Sequence, residues 1–261
     1  MTAIVVGNDK GGVGKDAIAE AVFVAAAQRG LAARLIELES STRLGQLYPD
    51  ATTIRVETPA PEILYRTPDV IYAPFDEAAQ IWRSEGLSIT SLGANMTAGL
   101  LAWGRAHGRL MLHDGEGMTI VIVLTMSRAA LASGLTNLYD AGIVFPKARR
   151  VAVLNDVHAD FLPGDRNLAG RLEEARGQGS PIETIHIVRN AAPAWGYAQN
   201  CGTLAEIAAL DPQVLLDLGL PEGPVRRSMP MIVRWITDEL VSPLEVLLPE
   251  VPAAKRRERA K

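Results

Sequence analysis

Cysteine occurs once in this 261-residue chain, as Cys201, so no internal disulfide framework can form and the chain suits a reducing compartment. Aromatic residues are scarce, at 5% of the sequence. The four histidines, His107, His113, His158 and His186, have no metal-ligand spacing with one another or with Cys201, which argues against a zinc site. No apolar run reaches the roughly 18 residues that a spanning helix needs, and no basic and apolar leader precedes the first strand-like segment. A cytoplasmic protein with no integral membrane segment is therefore expected. There is no internal repeat, no low-complexity block, and no arrangement of serine, histidine and acid that points to a hydrolase. Excess charge is also lacking: 26 Lys and Arg against 30 Asp and Glu leave a net charge of −4, so the body is no polyanion binder by bulk electrostatics.

What is present is a globular composition, 48% hydrophobic and 21% charged, with length for one large α/β domain or a domain plus a small appendage. Thr2 to Gly7 is a short continuous apolar run, as a buried parallel strand requires. A glycine loop follows, and "DAIAEAVFVAAAQRG" reads as an alanine-rich helix ending at Gly30. Further strands are expected in "AARLIELE", more weakly in "ATTIRVET", and in "LSITSLGAN", "MTIVIVLTM" and "ARRVAVLND". The helix-like segments "DEAAQIWRSEG", "MTAGLLAWGRAHG" and "RAALASGLTNLYDAG" alternate with them, and Pro59 to Pro74 reads as an irregular surface segment. Beyond Pro163 the pattern loosens into a polar helix, the edge-like strand "IETIHIV" and several helical pieces. The alternation predicts a doubly wound, mostly parallel α/β sheet with flanking helices and a helical C-terminal flank, forming one domain over 1–250.

The stretch "IVVGNDKGGVGKDAIAEAV", residues 4–22, carries the chemistry. A phosphate loop works because successive backbone N–H groups point inward, the next helix adds partial positive charge, and a lysine reaches the outer phosphates. Gly11, Gly12 and Gly14 supply the necessary freedom with Val13 between them, and Lys15 is the phosphate lysine. Two positions depart from the usual loop: Asp9 stands where its first glycine belongs, and Asp16 where a serine or threonine follows the last lysine.

The string "KGGVGK" resembles the deviant Walker A motif of the ParA/MinD family, whose ATPases position plasmids, chromosomes, division sites and other cargo. The resemblance implies a P-loop fold binding ATP and Mg²⁺. It also implies a homodimer formed on ATP binding, with Lys10 crossing the interface to the partner's nucleotide. The family has two aspartates after its second strand, one in the magnesium shell and one positioning the attacking water. Glu37 and Glu39 occupy those places, followed by a basic residue, Arg43. Acids ending a strand also cap following helices, so a capping role stands beside the functional one. "LSITSLGAN" resembles the "DLGAN" of the branch linked to plasmid stability and conjugative transfer, with Ser91 in place of the Walker B aspartate. Asp114 competes for that role, but a strand begins directly after it, and parallel neighbours need a crossover of about a dozen residues. Asn155, ending "VAVLN", stands where the family commonly faces the adenine, and it is equally ordinary turn chemistry.

The two departures read together as an exchange. Ordinary sites give the metal a hydroxyl from the loop and a carboxylate from the Walker B strand. Here the loop offers Asp16 and the strand offers Ser91, which predicts a Mg²⁺ site of altered composition (Asp16, Glu37, Ser91) with slow or impaired hydrolysis by Lys10 and Glu39. Decay is the alternative: a like-charge contact at about 4 Å costs on the order of 4 kcal/mol at an effective dielectric near 20, so without metal Asp16 repels the phosphates. Three functions follow. They are an ATP-dependent dimer switch in plasmid partition, stability or cargo positioning; a non-catalytic scaffold for a partner protein; and, more weakly, a metabolic ATP-dependent enzyme. The tail "KRRERAK", within 251–261, reads as a basic, disordered appendage that holds DNA or another anionic surface, or merely keeps the chain soluble. The segment "MIVRWITDELVSPLEVLL" is acidic on its polar face and is expected to pack on the protein, not on a membrane.

Overall fold

The computed structural model describes residues 2–39, 42–177 and 179–250; the basic tail lies outside them. Seven strands form one sheet in the order β3-β2-β4-β1-β5-β6-β7. They are β1 (Thr2–Gly7), β2 (Ala33–Glu39), β3 (Thr52–Arg55), β4 (Leu87–Leu92), β5 (Met118–Leu124), β6 (Arg149–Asn155) and β7 (Ile182–Ile187). Every pairing is parallel. The central strands β4 and β5 are buried along their whole length; β5 accordingly reads as a nearly continuous apolar run, while β4 also encloses Ser88, Thr90 and Ser91. The sequence expectation of a mostly parallel sheet is met in full, and "IETIHIV" does form an edge strand.

The helices, in chain order, are α1 (Lys15–Gln28), α2 (Arg43–Leu47), α3 (Pro61–Arg66), α4 (Ala73–Trp82), α5 (Met96–Trp103), α6 (Arg109–Met111), α7 (Arg128–Val144), α8 (Arg166–Arg176), α9 (Trp195–Ala198), α10 (Leu204–Ala208), α11 (Pro212–Asp217), α12 (Glu222–Arg234) and α13 (Ser242–Leu244). They make two layers. On one face, α1 is sandwiched between Ile4, Val6 and Ile89 of the sheet and Val225, Ile232, Ile236, Leu240 and Leu244 of the C-terminal flank. Burial from both sides explains the helix's alanine content: Ala19, Ala21, Ala25 and Ala26 are all fully enclosed, where larger side chains would force the layers apart. Each buried Val, Leu or Ile of that seam contributes about 1.5–3 kcal/mol. On the other face, α4, α5, α7 and α8 cover Val5, Ile36, Leu38, Ile120 and Ile122, and the fully buried Trp82 and Trp103 fill the space between α4 and α5.

Two sequence expectations change. Pro59 to Pro74 contains a short helix, α3, none of whose residues is buried, and a 3₁₀ turn, so the segment is ordered but stands off the body. Cys201, a small free cysteine of the kind that is usually buried, is partly exposed. No helix among the described residues is long and apolar enough to cross a membrane.

Candidate functional site

In a doubly wound sheet the crevice opens where successive strands run off in opposite directions, at the strands' C-terminal ends. Here that point lies beside β1, which pairs with β4 on one side and β5 on the other. The glycine loop leaves β1 at this position and enters α1. Gly12 and Gly14 have φ angles of 72° and 94°, in the left-handed region. Gly14 is the N-cap of α1 and no side chain caps that terminus, so its first-turn amides face the loop. A Cβ built at Gly11 or Gly12 would meet nothing within 4 Å, so the cradle is open on that side.

Lys15, 7% exposed, turns back and donates from Nζ to the Lys10 carbonyl at 3.0 Å. Burial pulls its pKa below the usual lysine value, while Asp16, Glu39 and Asp9 act in the opposite sense. Lys10 itself is exposed. Asn155 donates its amide to the Val13 carbonyl at 2.9 Å, so in this structure the residue expected to face a base holds the rim of the loop.

The acidic residues converge. Glu37 and Ser91 are register partners on β2 and β4, and Ser91 is likewise opposite Val6 on β1. Partners in parallel strands share a face, and Glu39, two residues beyond Glu37, shares it too. This is the face that α1 covers, which brings Asp16 over them. Ser91 Oγ donates to Asp16 Oδ1 at 2.6 Å. Asp16, Glu37 and Glu39 each present an oxygen within 4.8 Å of the others. Gly93 makes room for this: a Cβ there would stand 2.7 Å from Glu39 Cγ.

Glu37 is fully buried and holds the capping role as well. It accepts from the Leu44 and Gly45 amides, at 2.9 and 3.1 Å, in the first turn of α2. Asp114 lies elsewhere, at the N-terminal end of the strands in a 3₁₀ turn before β5. Arg109 donates to it at 2.5 Å and holds its carboxyl below the usual range.

Sequence reasoning missed what fixes the loop on its other shoulder. Asn8, fully buried, donates to the Val123 and Ala130 carbonyls at 2.8 and 3.1 Å and accepts from the Lys10 amide at 2.9 Å. The Asp9 carboxylate accepts from the Ala98 amide at 2.9 Å and from Asn137 Nδ2 at 3.0 Å. Beyond Asn155, the buried Asp156 accepts from the Phe161 amide at 2.8 Å and contacts His186 Nε2 at 2.9 Å, shaping the turn after β6. Apart from Asn8 with Lys10 and Asp156 with Phe161, these pairs are far apart in sequence, and only the presence of polar residues at strand ends could have signalled them.

The fold and site define a class: a parallel α/β sheet with a glycine-rich anion loop at its switch point and a carboxylate cluster beside it. No protein-family model matches the chain, and no curated protein does. Among solved structures it is similar to the MinD cell division protein of Aquifex aeolicus, at 12% identity and TM-score 0.43 over 90% of this chain and 96% of that one. It is also similar to a Cyanothece McdA variant in complex with ATP, at 13% identity and TM-score 0.36 over 89% of this chain and 96% of that one.

Proposed function

We propose that this chain is an ATP-dependent switch of the ParA/MinD type, in which ATP with Mg²⁺ joins two copies and slow hydrolysis releases them, used in plasmid partition, stability or cargo positioning. The observation that carries the reading is the direct contact of Ser91 Oγ with Asp16 Oδ1 beside Glu37 and Glu39. The two exchanged groups stand side by side, as a shared metal shell requires. The donor set is all oxygen, which suits a hard divalent cation. Glu37 is oriented for this before any ion arrives, because two backbone amides fix its carboxylate.

The loop fits a phosphate chain for independent reasons: an uncapped helix start, two left-handed glycines and a buried lysine. Lys15 would pair with the outer phosphates, the amides of Gly11 to Gly14 would cradle them, and Lys10 is exposed and able to reach a second copy. Asn155 would place the base by fixing the rim, and Glu39 would orient water. When bound, Mg²⁺ supplies the positive charge that offsets Asp16. Surface cations, with the tail, would then give the dimer its hold on DNA, while the cargo protein is a separate partner.

Isothermal titration of ATP with and without Mg²⁺, on the wild type and on Asp16→Thr, tests this. Wild-type binding should require Mg²⁺ and weaken at least about tenfold without it, whereas Asp16→Thr should bind with less dependence on the metal. Binding indifferent to Mg²⁺ in the wild type would reject the exchange and leave a partner-binding scaffold.

A further inference from the structure

Asp9 holds a place where a phosphate loop ordinarily has glycine, and its surroundings give it work to do. The loop rises between two helical layers. Its outgoing end starts α1 on one face of the sheet, while Asp9 reaches to the opposite face. There the carboxylate Oδ1 accepts from the amide of Ala98, the third residue of α5, at 2.9 Å. Oδ2 accepts from Asn137 Nδ2 at 3.0 Å and from Ser133 Oγ at 3.4 Å, both on α7. The Asp9 carbonyl also accepts from the Asn95 amide at 3.0 Å.

Helix α5 has no cap of its own. Its N-cap, Asn95, sits at φ 63° and makes no side-chain capping bond. A helix start without a cap leaves orphan amides and a positive end, and α5 receives its anion from the loop, 89 positions away in sequence. Asn137 is almost fully buried, so its bond to Asp9 has no water to replace it. Asp9 also lies close enough to Lys15 to help hold the lysine's charge. A single side chain therefore touches the phosphate lysine's field, the start of α5 and the middle of α7.

We infer that Asp9 is a positioning residue, the latch through which α5 and α7 register the shape of the phosphate loop. When the loop adjusts around a phosphate chain, Asp9 moves with it, and the cap on α5 and the bond to α7 follow. This rests on the nucleotide reading above. It differs from a static brace because it requires a response at Ala98 and Asn137 when the loop is occupied.

Hydrogen exchange on the full chain, with and without Mg·ATP, tests it in the wild type, Asp9→Asn and Asp9→Gly. Asparagine keeps an acceptor for Ala98, and Asn137 can flip its amide to meet the new NH₂, so Asp9→Asn should behave as the wild type. Glycine removes every side-chain bond. Without nucleotide, peptides spanning 96–101 should exchange about tenfold faster or more in Asp9→Gly, as expected for losing a hydrogen bond to a charged acceptor. With Mg·ATP, the wild type and Asp9→Asn should change exchange in the loop and also over 96–101 and 131–138. Asp9→Gly should confine the change to the loop.

Transmission to α5 and α7 in Asp9→Gly, or unaltered exchange over 96–101 in its nucleotide-free form, would overturn the latch. If the wild type shows no ATP-dependent change even in the loop, the nucleotide reading fails. The nucleotide-free comparison then still decides whether Asp9 holds α5. Asn137→Ala combined with Ser133→Ala, which together cut only the α7 arm, should lose the response over 131–138 and retain it over 96–101.

Discussion

Gly14 shows how narrowly single residues are constrained around the loop. Its φ of 94° costs any other L-residue about 1–2 kcal/mol, and a Cβ would stand 2.6 Å from Asn155 Nδ2. Gly14→Ala should therefore lower stability in urea denaturation by about 2–3 kcal/mol, the strain plus the overlap, and should displace Asn155 from the Val13 carbonyl. Adding Asn155→Ala should recover the overlap but not the strain, leaving a coupling of about 1 kcal/mol in a double-mutant cycle. Additive losses would mean that the two residues do not meet.

Between elements, the telling contacts are polar groups buried where helices end. Arg150 is fully buried and has no acid for a partner among the described residues; its guanidinium donates to the Leu138 carbonyl at 2.8 Å, to those of Ala175 and Arg176 at 3.3 and 3.0 Å, and to that of Ser180. It thereby ties β6 to α7 and to the C-terminal turn of α8. Arg150→Met strands several acceptors and should cost about 3 kcal/mol or more in a denaturation experiment. Arg150→Lys, lacking the planar fork, should recover less than half of that.

Glu20 plays the comparable part for α1 and the C-terminal flank. Its Oε1 accepts from Tyr48 Oη at 2.9 Å and from the Leu204 amide at 2.6 Å. Burial raises its pKa above the usual 4.5, with those hydrogen bonds opposing, and the Tyr48 hydroxyl is raised as well, first by burial and then by Glu20. A raised native pKa means that the native state holds the proton more tightly than the unfolded chain. The stabilisation is complete below pH 4.5 and is lost as the pH climbs through the native value. Glu20→Gln keeps the acceptor and has nothing to titrate. Its stability relative to the wild type should therefore increase across that window and level off above it, as followed by urea midpoints from about pH 4 to 8.

Such contacts mark where the sequence stops being legible. Continuous apolar strands, the glycine loop and the alternating helices are local signals that suffice for the sheet, whereas the grouping of Asp16, Glu37, Glu39 and Ser91 is implied by the motif resemblance. The capping role expected of these acids is met at Glu37, but the five-residue α2 carries no periodicity long enough to read, so the Leu44 and Gly45 amides could not be singled out. Asp9 finds Ala98, Ser133 and Asn137 only after α5 and α7 have packed on the sheet. Cys201 follows a short helix, α9, and packs against the core while remaining partly exposed.

At the scale of the whole molecule, the proposed switch is a matter of mass. Size-exclusion with light scattering should find a monomer without nucleotide and with ADP, and about twice that mass with Mg·ATP, the equilibrium moving with protein concentration as association requires. Lys10→Ala should remain monomeric under all three conditions, and ATP-independent mass in the wild type would remove the gating. The exposed rim of the loop, not the sheet edges, is where two copies would meet: β3 has only four residues, and the polar residues of β7 face outward.

The central position of β1 also governs how the polypeptide can acquire this shape. Its two neighbours, Leu87–Leu92 and Met118–Leu124, come much later in the chain, and the cover over α1 comes later still, at Val225–Leu248. During synthesis at about 5–20 residues per second, an apolar strand and its helix thus wait many seconds for partners. Ribosome-bound fragments ending before α12 should be sticky and should require chaperones, and the glycine loop should take its working form only once nearly the entire length has emerged.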